Sequence, residues 1–104
     1  MKQYFKKHKF NAIRTEYKGV KYHSKKEARY AYELDIEIAT GKLLFFLRQV
    51  PFYLPGNTKY VLDFMEFWVN GDIKFCDVKG RDTPMSILKR KQVEALYPIK
   101  IELK

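Results

Sequence analysis

Residues 59–69, Lys-Tyr-Val-Leu-Asp-Phe-Met-Glu-Phe-Trp-Val, run directly into Asn70-Gly71, and this commits the middle of the chain to a β-hairpin. Aromatic and β-branched side chains lose rotamer freedom in a helix and pack well on a pleated surface. Asn-Gly is a strong hairpin signal, because both residues accept positive φ in a two-residue turn. The return strand is predicted over residues 72–79 and is ended by Gly80.

The flanking segments extend this hairpin into a small α+β domain. Residues 43–54, rich in Leu, Phe and Val, predict a strand interrupted at Pro51, which belongs near an edge or a bulge. Pro55-Gly56-Asn57 is a turn. Ser24 opens a helix over residues 24–40, with Gly41 as its C-terminal stop. A second helix over residues 83–97 carries Pro84 in its first turn, is ended by Pro98, and leads into a short strand at 99–103. Residues 13–22 predict a hairpin turning at Lys18-Gly19, and residues 1–12 a flexible basic arm. The expected order is α-β-β-β-α-β after an N-terminal hairpin. At 104 residues the chain has room for one such domain, over 13–104.

Charge is distributed unevenly. Residues 1–26 carry nine bases (Lys2, Lys6, Lys7, Lys9, Arg14, Lys18, Lys21, Lys25, Lys26) against Glu16, so this segment holds +8 of the net +9. Interleaved with Tyr4, Phe5, Phe10, Tyr17 and Tyr22, it has the electrostatic footprint of a polyanion binder. A membrane surface fits less well, since the arm has no amphipathic helical period. No apolar run is long enough to cross a bilayer, and the first residues lack the pattern of a signal peptide. The single cysteine, Cys76, excludes an internal disulfide, and a Cys/His metal cage lacks ligands. The expected compartment is the cytoplasm.

Three polar residues in the strands carry possible chemistry. Asp77 and Lys79 point to the same side of their strand, with Ile73 and Phe75, while Val78 points to the other. Asp63 interrupts an apolar strand on the side of Val61, Met65 and Phe67, where a carboxylate needs a partner or a metal. A two-residue turn at Asn70-Gly71 sets Asp77 opposite Phe64. A bulge or a one-residue change of register brings Asp63 and Asp77 onto one face. Crowded carboxylates suit Mg²⁺, with Mn²⁺ as a substitute. Such an ion polarises a phosphate and acidifies an attacking water, and Lys79 is placed to position that water. At helical spacing Glu27 continues the stripe Ala31, Leu34, Ile38. It is either a third acid or the capping partner of Ser24 in Ser-Lys-Lys-Glu. Lys89, Arg90 and Lys91 on the second helix are either phosphate contacts or a solvated face. His8 and His23 have no evident partner.

Three segments together, Ser24-Lys25-Lys26-Glu27-Ala28-Arg29, Val61-Leu62-Asp63-Phe64 and Cys76-Asp77-Val78-Lys79-Gly80, resemble the PD-(D/E)xK nuclease superfamily over about residues 13–104. Within it the chain is similar to small phage proteins with the same helix start and to phage endonuclease I-type Holliday junction resolvases. Leu62 stands where the superfamily name has proline, and Asp77 where glutamate is common. The resemblance implies a restriction-endonuclease-like core, a mixed sheet with an antiparallel three-strand meander flanked by two helices. It implies that Asp63 and Asp77 hold the metal with the Val78 carbonyl, that Lys79 assists attack, and that Glu27 completes the site.

The function expected is metal-dependent endonucleolytic cleavage of DNA, on branched substrates, by a homodimer encoded by a phage or prophage and acting in the host cytoplasm. Lys6, Lys7, Lys9, Arg14, Lys21, Lys25, Lys26, Lys89, Arg90 and Lys91 are the expected DNA contacts. Neither a small-molecule cofactor nor a membrane is expected. The alternative is a phage DNA-binding or anti-host accessory protein that keeps the fold without cutting.

Overall fold

The computed structural model describes residues 3–7 and 13–104. The chain divides into two compact units, Met1–Thr40 and Gly41–Lys104, so a boundary falls at Gly41, inside the single domain expected over 13–104.

In the first unit three antiparallel strands, β1 (Gln3–Lys7), β2 (Ile13–Tyr17) and β3 (Val20–Tyr22), precede helix α1 (Lys25–Ala39). Strand β1 stands where a flexible tail was expected. Tyr4 and Phe5 are strand formers, and β2 offers an edge to pair with. Residues 1–2 and 8–12, Lys9 among them, lie outside the described residues, as do the side chains of Lys6, Lys7 and Arg14. Strands β2 and β3 meet at the expected Lys18-Gly19, through a two-residue turn in which Lys18 (φ 51) and Gly19 (φ 77) both take positive φ.

Helix α1 begins as its sequence dictates. The Ser24 hydroxyl accepts from the Glu27 N–H at 3.1 Å, and Glu27 Oε1 accepts from the His23 N–H at 3.3 Å. Ser24 thus caps the helix, and the Glu27 carboxylate reaches back to the residue before the cap. Glu27, Ala28, Ala31 and Leu34 are buried, whereas Ile38, expected on the same stripe, is 37% exposed. Asp35 ties the helix to the hairpin, accepting from Tyr17 Oη at 2.5 Å and pairing with Lys18 at 3.2 Å. Burial and that bond push the Tyr17 phenol above its ordinary value, so it stays a neutral donor.

The second unit is a four-stranded mixed sheet in the order β4 (Leu43–Leu54), β5 (Thr58–Trp68), β6 (Ile73–Asp77), β7 (Ile101–Leu103). The first three strands form the expected antiparallel meander. β7 lies parallel to β6, so the chain must cross over between them, and helix α2 (Pro84–Leu96) makes that connection. Leu54, Tyr60, Leu62, Val93 and Ile101 form the core, with Phe52, Phe75 and Tyr97 packed against it. Thr83 caps α2 ahead of Pro84, and Glu94 accepts from the Ile101 N–H at 2.8 Å, fastening the helix to β7. Pro51 does not interrupt β4: as an edge strand, β4 does not need every N–H. Among the described residues no helix is long and apolar enough to cross a membrane.

The turn between β5 and β6 differs from the two-residue form expected at Asn70-Gly71. The Gly71 N–H donates to the Trp68 carbonyl at 3.0 Å, and the Trp68 N–H to the Asp72 carbonyl at 2.9 Å. Only Gly71 (φ 95) is left-handed. The loop is therefore three residues long, closed by a glycine bulge. Asn70 supports it by accepting from the Asp72 N–H at 2.9 Å. Gly71→Ala is expected to destabilise the protein by about 1–2 kcal/mol in urea unfolding, because an L-residue is strained at that φ. Gly80→Ala, at ordinary φ and in open space, is expected to stay within about 0.5 kcal/mol of the parent.

Candidate active site

The longer turn resets the strand pairing. Phe64 faces Cys76, Met65 faces Phe75, Glu66 faces Lys74 and Phe67 faces Ile73. One step further along the same register, Asp63 stands against Asp77. This is the one-residue change of register that joins the two acids, and it follows from the third loop residue.

The two carboxylates then accept from backbone N–H groups across the strands. The Asp63 N–H donates to Asp77 Oδ1 at 2.9 Å, and the Val78 N–H donates to Asp63 Oδ2 at 3.0 Å. Strand β7 holds the other side of the same segment. The Lys104 N–H donates to the Asp77 carbonyl at 2.8 Å, and the Lys79 N–H donates to the Lys104 carbonyl at 3.3 Å.

Asp77 is fully buried, and its Oδ2 has no hydrogen-bond partner. Lys79 Nζ lies 3.8 Å from that oxygen, an ion-pair distance beyond hydrogen-bond reach. Burial raises the Asp77 pKa above the ordinary carboxylate value; the Asp63 N–H and the Lys79 charge oppose the rise without cancelling it. The Lys79 side chain is 25% exposed, and its ammonium sits 5.9 Å from the Tyr60 ring centroid. A buried carboxylate oxygen lacking a donor, beside a second carboxylate, is a hard-oxygen pair of the kind Mg²⁺ or Mn²⁺ takes. The donor set fits a divalent cation, with the remaining positions left to water, phosphate or a backbone carbonyl. Among the described residues no three of His, Cys, Asp and Glu gather, so the second unit contributes a pair.

Other residues around the pair were not singled out from the sequence. Gln49 takes φ 53 within β4, and its Nε2 donates to Asp63 Oδ1 at 3.4 Å. A glutamine in an apolar edge strand gives a weak signal, and nothing in its spacing points to Asp63. Asp82 binds Arg90 in a fork, Nη1 to Oδ1 at 3.1 Å and Nη2 to Oδ2 at 2.7 Å, and this bond lowers the Asp82 pKa. Arg90 is thus engaged by the loop after β6, so a phosphate contact there has to compete with Asp82. Glu66 is buried and accepts from Trp68 Nε1 at 3.0 Å.

The remaining candidates lie at the surface or in the first unit. Lys91 is exposed and Lys89 half-buried on α2, while Lys21, Lys25 and Lys26 are exposed around the start of α1. Glu27 belongs to the first unit and is 97% withdrawn from solvent, at 3% exposure.

A family model described as a protein of unknown function (DUF1064) matches residues 7–103. The chain belongs to this family. No curated protein and no solved structure matches it. The DUF1064 match takes in Glu27, Asp63, Asp77 and Lys79.

A raised folded-state pKa contributes stability that is complete below the ordinary carboxylate pKa and lost as pH rises through Asp77's own, higher value. At neutral pH the burial of Asp77 therefore works against the metal-free fold. Asp77→Asn keeps the oxygen that accepts from Asp63 and removes the charge. Its Tm in chelator at pH 7 is expected to exceed the parent's, and the two are expected to converge as pH falls below the ordinary carboxylate pKa. An Asn variant that melts below the parent at pH 7 would contradict a net cost of burying this carboxylate.

Proposed function

We propose that this DUF1064 chain is a divalent-metal-dependent DNA endonuclease with Asp63, Asp77 and Lys79 at its cutting centre. The observation that carries the reading is the facing pair of carboxylates, one with a buried oxygen that no donor satisfies, with a lysine ammonium 3.8 Å away. A protein needing only to bind polyanions gains nothing from a carboxylate buried in this state, since it repels phosphate and weakens the fold.

In this reading Asp63 and Asp77 hold the cation, together with the Val78 carbonyl named by the superfamily resemblance. When bound, the cation supplies charge neutralisation and Lewis acidity at the scissile phosphate. Asp63, gripped by the Val78 N–H, and Asp77, gripped by the Asp63 N–H, are oriented before any ligand arrives. Lys79 extends from the end of β6 and is partly open to solvent, so its ammonium can turn toward the phosphate or an attacking water. Tyr60 forms an apolar wall beside it. Glu27 enters the reading through the resemblance alone; its observed bond is to the His23 N–H.

The strongly basic first 26 residues support DNA as the substrate. By the resemblance to junction-resolving nucleases, the preferred substrate is branched DNA, cut twice by a homodimer. The products are 5′-phosphate and 3′-hydroxyl ends.

Cleavage of matched linear, nicked, forked and four-way DNA in Mg²⁺ or Mn²⁺ tests this reading. Branched DNA is expected to be cut selectively, with Asp63→Ala and Asp77→Ala each losing about 10³-fold or more. Lys79→Ala is expected to lose about 10²–10³-fold, comparable to removing one electrostatic contact to the transition state. Retained DNA binding with no cutting by the parent protein would sink the nuclease reading in favour of a non-catalytic binding protein. Equal cutting of linear and four-way DNA would remove the junction preference alone.

A further inference from the structure

We infer that Gln49 is a positioning residue for Asp63, setting the plane of that carboxylate for the divalent cation; the inference rests on the nuclease reading above. Arg48 and Val50, the neighbours of Gln49, pair with Phe64 and Leu62. The intervening residue on each strand is Gln49 on β4 and Asp63 on β5. Gln49 donates through Nε2 to Asp63 Oδ1 at 3.4 Å, while Asp63 Oδ2 accepts from the Val78 N–H at 3.0 Å. The carboxylate is thus held from both sides, by a side chain of β4 and the backbone following β6. Two donors on opposite oxygens define its plane, which neither does alone.

The backbone at Gln49 makes the side chain the point of interest. Its φ of 53 is left-handed in the middle of a 12-residue strand, a conformation that glycine adopts without strain and glutamine does not. A residue required only to bend β4 has no need of a carboxamide. Backbone strain of this kind is kept where the surrounding structure over-determines it, and here it aims the amide at an acid of the proposed site. Groups that orient a metal ligand typically change metal affinity by 10–100-fold when removed.

The bend and the amide can be separated by substitution. Gln49→Gly keeps the bend and removes the amide, and Gln49→Ala removes the amide while keeping the strain. Mn²⁺ binding by calorimetry without DNA, Tm in chelator, and the Mg²⁺ concentration for half-maximal cutting are measured on both variants and the parent. Gln49→Gly is expected to melt above the parent in chelator. Both variants are expected to bind Mn²⁺ about 10–100-fold more weakly, with the Mg²⁺ requirement rising by a similar factor and cutting recovering at saturating metal. Affinity within about twofold of a parent that binds Mn²⁺ and cuts would overturn the role of Gln49 and leave the nuclease reading intact. A parent that neither binds Mn²⁺ nor cuts would overturn both.

Discussion

The candidate site depends on an exchange of hydrogen bonds between two strands. Asp63 offers its N–H to the Asp77 carboxylate, and its own carboxylate takes the N–H of Val78. Each acid thereby replaces a backbone partner that a regular antiparallel ladder would supply. The exchange satisfies three of the four carboxylate oxygens once Gln49 is counted, and leaves Asp77 Oδ2 buried without a donor. A fold that tolerates this oxygen gives up stability at neutral pH, and the proposed cation restores it. The same oxygen that weakens the metal-free protein is the one that makes a metal site chemically reasonable.

Three surrounding features fix that geometry. The glycine bulge at Gly71 sets the register, β7 pins the backbone on both sides of Val78, and the Asp82–Arg90 fork anchors the loop that leaves β6. None of them touches the orphaned oxygen, yet each restricts where Asp77 and Lys79 can sit. The proposed chemistry asks little further of the protein, since phosphodiester hydrolysis with a bound cation is mainly positioning and charge neutralisation.

Much of this was legible in the residues. Ser24 as helix cap, Lys18-Gly19 as a two-residue turn, the three-strand meander and the second helix behind Pro84 all follow from local chemistry that tertiary structure did not override. Asp63, Asp77 and Lys79 could be named because charged groups in apolar strands need a reason. Their register could not, because Asn-Gly serves both a two-residue turn and the end of a three-residue loop, and one residue decides which face a side chain takes. Gln49 and the Asp82–Arg90 pair escaped notice for a different reason. Both act through backbone conformations, a left-handed strand residue and an irregular loop, that leave no period in the sequence. Strand β1 was missed because the four lysines of residues 1–12 obscured the strand-forming Tyr4 and Phe5.

The most direct test of the account is an anomalous difference map from crystals of the full chain soaked in Mn²⁺. The account predicts a peak shared by the Asp63 and Asp77 carboxylates, with Asp77 Oδ2 as a ligand and the peak lost in Asp77→Asn. A well-ordered Asp63–Asp77 pair with no peak beside it at saturating Mn²⁺ would contradict the metal site and, with it, the cutting centre.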